Sequence, residues 1–205
     1  MEHNPNKRIG IFGGSFNPIH QGHLMLAQWI LHEQQFDEVW FVVSPSNPLK
    51  QTPDMLPELT RLTMVKLALD SHSRMLPCDI ELSLPRPSFT ITTLRELSAR
   101  HPGYNFKLII GADNWNMINK WRAADEIIRD YGIVVYPRPG SDIDPETLPQ
   151  GVTLSRAPVI DISSSLIRKL IPLWGVPDFF LPDTVKQFIE TNKLYNYGHS
   201  VDNQH

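Results

Sequence analysis

Short runs of consecutive apolar residues alternate along the chain with longer segments in which apolar residues recur every three or four positions. An unbroken apolar run is typical of a parallel strand buried on both faces, and the wider spacing is typical of a helix with one buried side. The runs predict strands at residues 9–12, 38–45, 76–82, 106–110, 132–136 and 152–155.

The spaced segments predict helices at residues 24–35, 56–69, 90–99, 123–129 and 182–191, and one that begins at the triple serine of residues 163–165. Trp29 and Ile30 are expected in the core, and Ser88 or Thr90 is expected to cap the third helix. Strands that alternate with helices predict an α/β fold, with a doubly wound, Rossmann-like parallel sheet and helices on both faces. We expect one domain over residues 1–198, helical from about residue 160, and a disordered tail at 199–205.

Composition limits the classes of protein to which the chain can belong. With 205 residues, 41% of them hydrophobic, and five tryptophans, it can build one core. The only cysteine, Cys78, excludes an intrachain disulfide and a zinc site built on paired cysteines. The formal charge of −3 argues against nucleic-acid binding. Residues 1–8 carry no apolar signal segment and no apolar run approaches ~18 residues, so we expect a cytoplasmic location and no membrane partner.

The segment GGSFNPIHQGH, residues 13–23, joins the first predicted strand to the first predicted helix. Paired glycines let a backbone approach an anion closely, and a helix that starts after a glycine turn is typical of a phosphate site. His20 and His23 fall on one side of the first helical turn, and Gly22 leaves that side open to a ligand. The alternative is an ordinary turn with two surface histidines. The rarity of this spacing directly after a strand favours the phosphate site.

The same segment resembles the GG(S/T)F(D/N)PxHxGH signature of the nucleotidylyltransferase superfamily. It is most similar to the form in bacterial nicotinate-mononucleotide adenylyltransferases, and the resemblance spans roughly residues 8–195. Phosphopantetheine adenylyltransferases and cytidylyltransferases share the His-x-Gly-His core, so the signature gives the superfamily and leaves the substrate open.

Adenylyl transfer asks a protein mainly to hold two polyanions in line and to stabilise charge on the departing pyrophosphate. In agreement, the sequence carries no convincing Ser-His-Asp or Cys-His nucleophile set. The resemblance implies that His20 and His23 are catalytic, with His23 the main stabiliser of the transition state. It also implies that the ATP phosphates contact Gly13, Gly14, Ser15, Phe16, His20 and His23.

A second segment, ISSSLIR at residues 162–168, resembles the family's ISS(T)xIR motif. Serines at a helix start present hydroxyl and free N–H groups to an anion, and an arginine one turn later gives a charge-assisted bond to a phosphate. The alternative is a serine cap followed by an exposed arginine. The resemblance assigns Ser163, Ser164 and Arg168 to ATP, and Arg168 to catalysis as well.

Substrate recognition depends on shorter similarities. PSFT at residues 87–90 is similar to the family's PSYT-like segment, which implies that the N–H groups of Phe89 and Thr90 bind the nicotinate carboxylate. Trp121 matches the tryptophan that stacks on the pyridine ring, and Arg138 belongs to a segment that resembles the family's RPG turn. From the residues themselves, Trp121 has the alternative of a core position.

Two further similarities concern ATP. Gly111 and Asp113 resemble a Gly-x-Asp segment in which the aspartate bonds a ribose hydroxyl, although Asp113 has the alternative of a plain helix cap. The loop after the second strand departs from the family, because it has Pro48-Leu49-Lys50 where Pro-His-Lys or Pro-His-Arg is common. Lys50 still supplies a cation to the phosphates, whereas Leu49 cannot donate a hydrogen bond.

The resemblance as a whole implies an adenylyltransferase of NAD biosynthesis, which joins ATP and nicotinate mononucleotide into nicotinate adenine dinucleotide and pyrophosphate. Mg²⁺ is expected with ATP, held mainly by the phosphates and not by protein side chains. The alternatives are an enzyme for nicotinamide mononucleotide or phosphopantetheine, and a non-catalytic nucleotide sensor. A Rossmann oxidoreductase is disfavoured because Gly-x-Gly-x-x-Gly is absent. A homo-oligomer is left open.

Overall fold

The computed structural model describes residues 6–45 and 54–198. In this part of the chain the strands are Arg8–Gly14 (β1), Glu38–Val43 (β2), Met75–Cys78 (β3), Asn105–Gly111 (β4), Ile133–Tyr136 (β5) and Val152–Leu154 (β6). The α-helices are Gln21–Glu33 (α1), Glu58–Leu69 (α2), Thr90–Arg100 (α3), Ala112–Trp115 (α4), Ala124–Glu126 (α5), Ser164–Trp174 (α6) and Asp183–Thr191 (α7). Shorter 3-10 turns lie at Ile80–Ser83, Ile118–Lys120, Pro145–Thr147 and Leu194–Asn196, and a π-helical turn lies at Ile127–Tyr131.

The strands form one parallel sheet in the order β3-β2-β1-β4-β5-β6. The chain moves outward from β1 to β3, returns, and starts again at β4 on the other side of β1. The strand order therefore reverses direction between β1 and β4, and this position is called the switch point. Open α/β sheets bind ligands at the switch point, beyond the carboxyl ends of the strands. The loop with the two histidines follows β1, and the Gly-x-Asp segment follows β4. The predicted doubly wound parallel sheet is confirmed.

Apolar layers cover both faces of the sheet, because successive strand side chains point to opposite faces. Helices α1, α2, α6 and α7 pack in one layer, around residues such as Ile30 and Val185. Helix α3 and the π-helical turn pack in the other layer, around Leu94 and Ile127. Within the stretches 6–45 and 54–198, no helix has both the length and the apolar character needed to cross a membrane.

The third strand is shorter than predicted. β3 ends at Cys78, and the residues assigned to its second half form the 3-10 turn Ile80–Ser83. β3 lies at the edge of the sheet and contains Pro77, which has no N–H group for a ladder bond. Ile80 is buried all the same, because the turn directs it into the second layer. Its apolar character had therefore suggested the right burial and the wrong backbone.

Three local predictions about helices are wrong. The exposed fraction of Trp29 is 46%, whereas the neighbouring Ile30 is fully buried, because adjacent helical positions point about 100° apart. Helix α3 is preceded at its cap position by Phe89, with extended backbone, and not by Ser88 or Thr90. The predicted helix at 123–129 is α-helical only over Ala124–Glu126, after Ala123 with a left-handed φ of 53°, and continues as the π-helical turn.

The pair Trp29 and Ile30 gives a direct test of this burial. We expect Ile30→Ala to lower the free energy of unfolding by about 2–5 kcal/mol, because it leaves a cavity in the first layer. Trp29→Ala should change it by about 0.5 kcal/mol, as is usual for exposed positions. Urea unfolding of both variants measures the difference, and a larger loss in Trp29→Ala would contradict the orientation of α1.

Candidate active site

The two glycines at the end of β1 serve different purposes. A Cβ atom on Gly14 would lie 3.0–3.2 Å from the ring of Phe16, whereas one on Gly13 would meet nothing within 4 Å. Phe16 has a left-handed φ of 45°, and its ring is buried against Phe41 and His23, with centroids 5.5 and 5.1 Å away. Gly14 therefore makes room for Phe16. Gly13 is exposed and keeps the outer side of the loop clear.

The histidine pair forms a stacked unit at the start of α1, which begins at Gln21. The ring centroids of His20 and His23 lie 3.6 Å apart with planes 27° from parallel. The backbone N–H of His20 donates to Nδ1 of His23 over 3.2 Å. A neutral His23 must therefore carry its proton on Nε2, at the far side of the ring.

Both histidines are kept neutral by their surroundings. Burial, and secondly the charge of Arg138, lower the pKa of His20 to about 3. Burial, then His20 and Arg138, lower the pKa of His23 well below its usual value. At pH 7 the pair therefore carries no positive charge and can offer an N–H donor. The alternative interpretation, in which the two histidines lie on the surface, is wrong for His20, because its exposed fraction is 4%.

Gly22 is needed because of His20. A Cβ atom at Gly22 would lie 3.0 Å from Nδ1 of His20 and 3.2 Å from Cγ2 of Ile160. The sequence suggested that this glycine leaves room for a ligand. In the structure it leaves room for the His20 ring. A narrow cleft opens beside the pair, and its lining includes Tyr136 and Arg138.

Gly111, Asp113 and Arg138 form a second unit at the ends of β4 and β5. Nε of Arg138 lies 3.8 Å from Oδ1 of Asp113, and its guanidinium lies 5.4 Å from the ring centroid of Tyr136. A Cβ atom on Gly111 would lie 2.5 Å from Oδ1 of Asp113 and 3.1 Å from Cγ of Arg138. The glycine therefore lets both charged side chains cross the strand end. Asp113 lies in the first turn of α4, whose cap position is Gly111, so the alternative of an aspartate cap is wrong.

The start of α6 docks on the loop after β1. Ser163 caps the helix by accepting from the N–H of Leu166 over 3.2 Å. Ser164 Oγ donates to the carbonyl oxygen of Pro18 over 2.8 Å, and Nη1 of Arg168 donates to that of Asn17 over 2.8 Å. The cap predicted as an alternative is present, and the arginine is half-buried against the loop. The two sequence signatures are thus in direct contact.

The predicted substrate residues lie farther along the same edge of the sheet. Phe89 precedes α3, and the guanidinium of Arg122 lies 5.0 Å from its ring centroid. Thr90 is the first residue of α3 and is half-buried. Trp121 is half-buried and packs on the second apolar layer, so it has a core contact and a solvent-facing part. Leu49 and Lys50 lie outside the described residues, so their roles stay predictions.

Sequence reasoning missed three residues that hold the loop after β1. Arg61 is fully buried and donates to the carbonyl oxygen of Ser15 over 2.5 Å. The side chain of Asn17, 1% exposed, accepts from the hydroxyl of Tyr195 over 2.8 Å. The sequence contains one indication that Arg61 is buried, because it lies four residues before Val65 and eight before Leu69, on the apolar side of the predicted helix. Nothing in the sequence pairs Asn17 with a tyrosine 178 residues away.

Among residues 6–45 and 54–198, no group of three or more histidine, cysteine, aspartate or glutamate side chains is arranged to hold a metal ion. In the described part of the chain, arginines supply positive charge near the switch point: Arg61 under the loop, Arg168 beside it and Arg138 across the cleft. The site is thus organised around arginines and N–H groups, which is the donor set that suits phosphates.

Comparison with known proteins agrees with this geometry. The chain matches the family described as cytidylyltransferase-like over residues 11–170, which defines the class of protein. A Bacteroides fragilis relative named "Probable nicotinate-nucleotide adenylyltransferase" is 41% identical over 94% of this chain and 96% of its own length. A Flavobacterium psychrophilum relative of the same name is 38% identical over 92% and 98%. The chain belongs to the nicotinate-nucleotide adenylyltransferase family.

Solved structures agree at the level of the fold. Plasmodium falciparum nicotinic acid mononucleotide adenylyltransferase complexed with NaAD has a TM-score of 0.75 to this chain at 22% identity, covering 93% of this chain and 98% of its own. The same protein complexed with APC has a TM-score of 0.74. The likeness confirms the Rossmann-like nucleotidylyltransferase architecture.

Acid should destabilise the protein through the buried histidines. The pKa of His20 is about 3 in the folded protein, whereas an ordinary histidine has a pKa of 6.5. Below pH 6.5 the unfolded chain therefore binds a proton at this residue, and the folded protein does not. Its contribution to stability is complete above that pH and is lost as the pH falls towards 3. Between pH 6.5 and about 4.5 we expect a loss on the order of 2 kcal/mol from this group. Urea unfolding at each pH measures it.

The control for this pH dependence is His32, an exposed histidine in α1, the helix that His20 precedes as its cap residue. His20→Gln should flatten the slope of unfolding free energy against pH, whereas His32→Gln, at an exposed position, should keep the wild-type slope. Identical slopes in the wild type and His20→Gln would contradict the burial of His20.

Proposed function

We propose that this chain transfers AMP from ATP to nicotinate mononucleotide, giving nicotinate adenine dinucleotide and pyrophosphate for NAD biosynthesis. The observation that carries the proposal is the stacked, neutral histidine pair at the switch point, with the proton of His23 directed to Nε2. The names of the relatives, at about 40% identity over nearly the whole chain, support the substrate pair.

The reaction needs no protein nucleophile. A phosphate oxygen of nicotinate mononucleotide, anionic at neutral pH, attacks the α-phosphorus of ATP. The bond from that phosphorus to the oxygen bridging to the β-phosphate breaks, and pyrophosphate leaves with the electron pair. Negative charge therefore grows on the leaving group, and N–H donors that are already in place stabilise it without reorganisation.

Each donor has a proposed role in this step. His23 donates from Nε2 to the phosphate that gains charge, and His20 fixes the ring of His23 by stacking on it and donating to its Nδ1. The N–H groups at the end of β1 and in the loop after it, from Gly13 to Phe16, bind the ATP phosphates together with Arg168. The residues proposed to complete the ATP site are Gly111, Asp113, Ser163, Ser164 and Lys50.

Recognition of the second substrate is proposed at the start of α3. The N–H groups of Phe89 and Thr90 belong to the first turn, where the helix dipole favours a carboxylate. The solvent-facing part of Trp121 offers a stacking surface for the pyridine ring. Arg138 is the proposed contact on the other side of the cleft, next to Asp113.

Mg²⁺ fits this site as a companion of ATP. The donor set holds one carboxylate, Asp113, which lies against Arg138, and no acidic cluster among the described residues competes for the ion. Mg²⁺ commonly keeps several waters and binds substrate phosphates, so the chain's arginines and N–H groups would bind the phosphate oxygens that the metal leaves uncovered. When bound, the metal would neutralise part of the pyrophosphate charge.

The first test compares two substrates. Pyrophosphate release with ATP and Mg²⁺ should be strongly favoured by nicotinate mononucleotide over nicotinamide mononucleotide, because a carboxylate gives both N–H groups a charged acceptor, whereas the amide has one neutral acceptor and an NH2 group that faces the other N–H. Equal rates would remove the recognition role of Phe89 and Thr90. Turnover of phosphopantetheine alone would instead establish a phosphopantetheine adenylyltransferase. ATP binding without turnover of any of the three would establish a nucleotide sensor.

The second test follows the donor of His23. We expect His23→Ala to lower kcat by about 10²–10³-fold, since one lost transition-state donor costs ~2.7–4 kcal/mol. His23→Gln, which carries an amide N–H near the position of Nε2, should keep more activity than His23→Asn, whose amide lies nearer Nδ1. His32→Ala is the matched control on the same helix. Near-normal turnover in His23→Ala would remove this residue from catalysis.

A further inference from the structure

Arg61 is the largest of the side chains that are fully buried in the described part of the protein. It lies in the first turns of α2, and its exposed fraction is 0%. A buried arginine stays charged, because its pKa is too high for it to lose a proton in a protein, and its burial is costly unless its N–H groups find acceptors.

The guanidinium joins three segments of the chain through main-chain carbonyl groups. Nε donates to Leu56 over 3.0 Å, at the entry to α2. Nη1 donates to Ser15 over 2.5 Å, in the loop after β1, and to Ser44 over 2.8 Å, just after β2. Nη2 donates to Pro45 over 2.8 Å. One planar group therefore sets the relative position of the loop and the end of the neighbouring strand.

The bond to Ser15 also fixes the direction of an N–H group. In a planar trans peptide the C=O of one residue and the N–H of the next point in opposite directions. The Ser15 carbonyl points inward to Arg61, so the N–H of Phe16 points away from Arg61, towards the outer side of the loop. The N–H of Ser44 donates to the carbonyl of Gly14 over 3.0 Å and holds the preceding turn.

The charge of Arg61 is not cancelled by a bonded carboxylate among residues 6–45 and 54–198, since its acceptors there are all carbonyl oxygens. The acidic residue that acts on it is Glu58, one turn earlier in α2, and Glu58 is itself paired with Arg86 over 2.5 Å. A desolvated positive charge therefore lies directly beneath the loop, where its field is screened less than that of a surface charge.

We propose that Arg61 is a positioning residue for catalysis, which holds the Ser15 carbonyl inward so that the Phe16 N–H faces the ATP phosphates, and which attracts those phosphates with a buried positive charge. The kinetic test of this role assumes the proposed adenylyl transfer, whereas the binding test requires only that the protein binds ATP. A purely structural role would affect folding and leave the handling of ATP intact.

The test compares two substitutions with a matched control. Arg61→Met fills a similar volume without a donor, and Arg61→Lys keeps the charge but lacks the planar fork. Met64→Ala, one turn away and fully buried in the same helix, removes core packing and leaves the loop contacts in place. Steady-state kinetics are measured at a temperature at which circular dichroism finds each variant folded.

We expect kcat/KM for ATP to fall about 10²-fold in Arg61→Lys, because misplacing a phosphate-binding group by about 1 Å costs that much, and to fall further in Arg61→Met. Met64→Ala should stay within about threefold of the wild type despite a lower melting temperature. Arg61 variants that match Met64→Ala in kcat/KM, or an equal loss in Met64→Ala, would overturn the proposal.

A binding measurement separates this proposal from the proposed reaction. Adding ATP and Mg²⁺ to the wild type should shift the backbone amide resonance of Phe16, and the shift should be reduced in Arg61→Lys together with weaker ATP binding. A Phe16 amide that does not respond in the wild type overturns the proposal even if neither Arg61 variant folds. Failure of the proposed function would show as ATP binding without turnover of either mononucleotide in the wild type.

Discussion

The candidate site depends on the direction of a few carbonyl groups in the loop after β1. The carbonyl oxygens of Ser15, Asn17 and Pro18 accept hydrogen bonds from Arg61, Arg168 and Ser164, respectively. The bonds to Ser15 and Pro18 also orient the N–H groups of Phe16 and Ile19, because the C=O of one residue and the N–H of the next point in opposite directions across a trans peptide. The second sequence signature, which was expected to bind phosphate, therefore also helps to set the shape of the loop to which the first signature belongs, through Ser164 and Arg168 of α6.

The electrostatics follow from this arrangement. The chain carries a formal charge of −3, yet arginines lie under the loop, beside it and across the cleft, so attraction for polyanions is local. Burial is the main reason that the histidines are neutral, and the charge of Arg138 adds to it in lowering the pKa of both. The pair is then suited to give a hydrogen bond of fixed direction, and the arginines supply the positive potential.

The sequence predicted the fold correctly because buried parallel strands give apolar runs, which are short-range patterns. Residues 13–23 follow the first of these runs, and the structure puts them at the switch point, where the candidate site is proposed. The failures have different causes. The backbone after Cys78 depends on the place of β3 at the sheet edge, and the partners of Arg61 and Asn17 are distant in sequence. Trp29 is exposed for a local reason, because adjacent helical positions point about 100° apart and Ile30 takes the buried side. Glycine could be recognised at position 22 without revealing that the His20 ring lies against it.

The hydrogen bond from Tyr195 to Asn17 gives the protein an order of assembly. Tyr195 belongs to a 3-10 turn with left-handed backbone at Lys193, Tyr195 and Asn196, which returns the chain to the loop after β1 once the sheet and α7 are complete. During synthesis on a ribosome, Asn17 emerges early and its partner emerges among the last residues of the fold. The side chain of Asn17 also donates to the carbonyl oxygen of Asp54 and accepts from the N–H of Leu56, so a nascent chain can form these two bonds first and gains the third only when Tyr195 has left the ribosome.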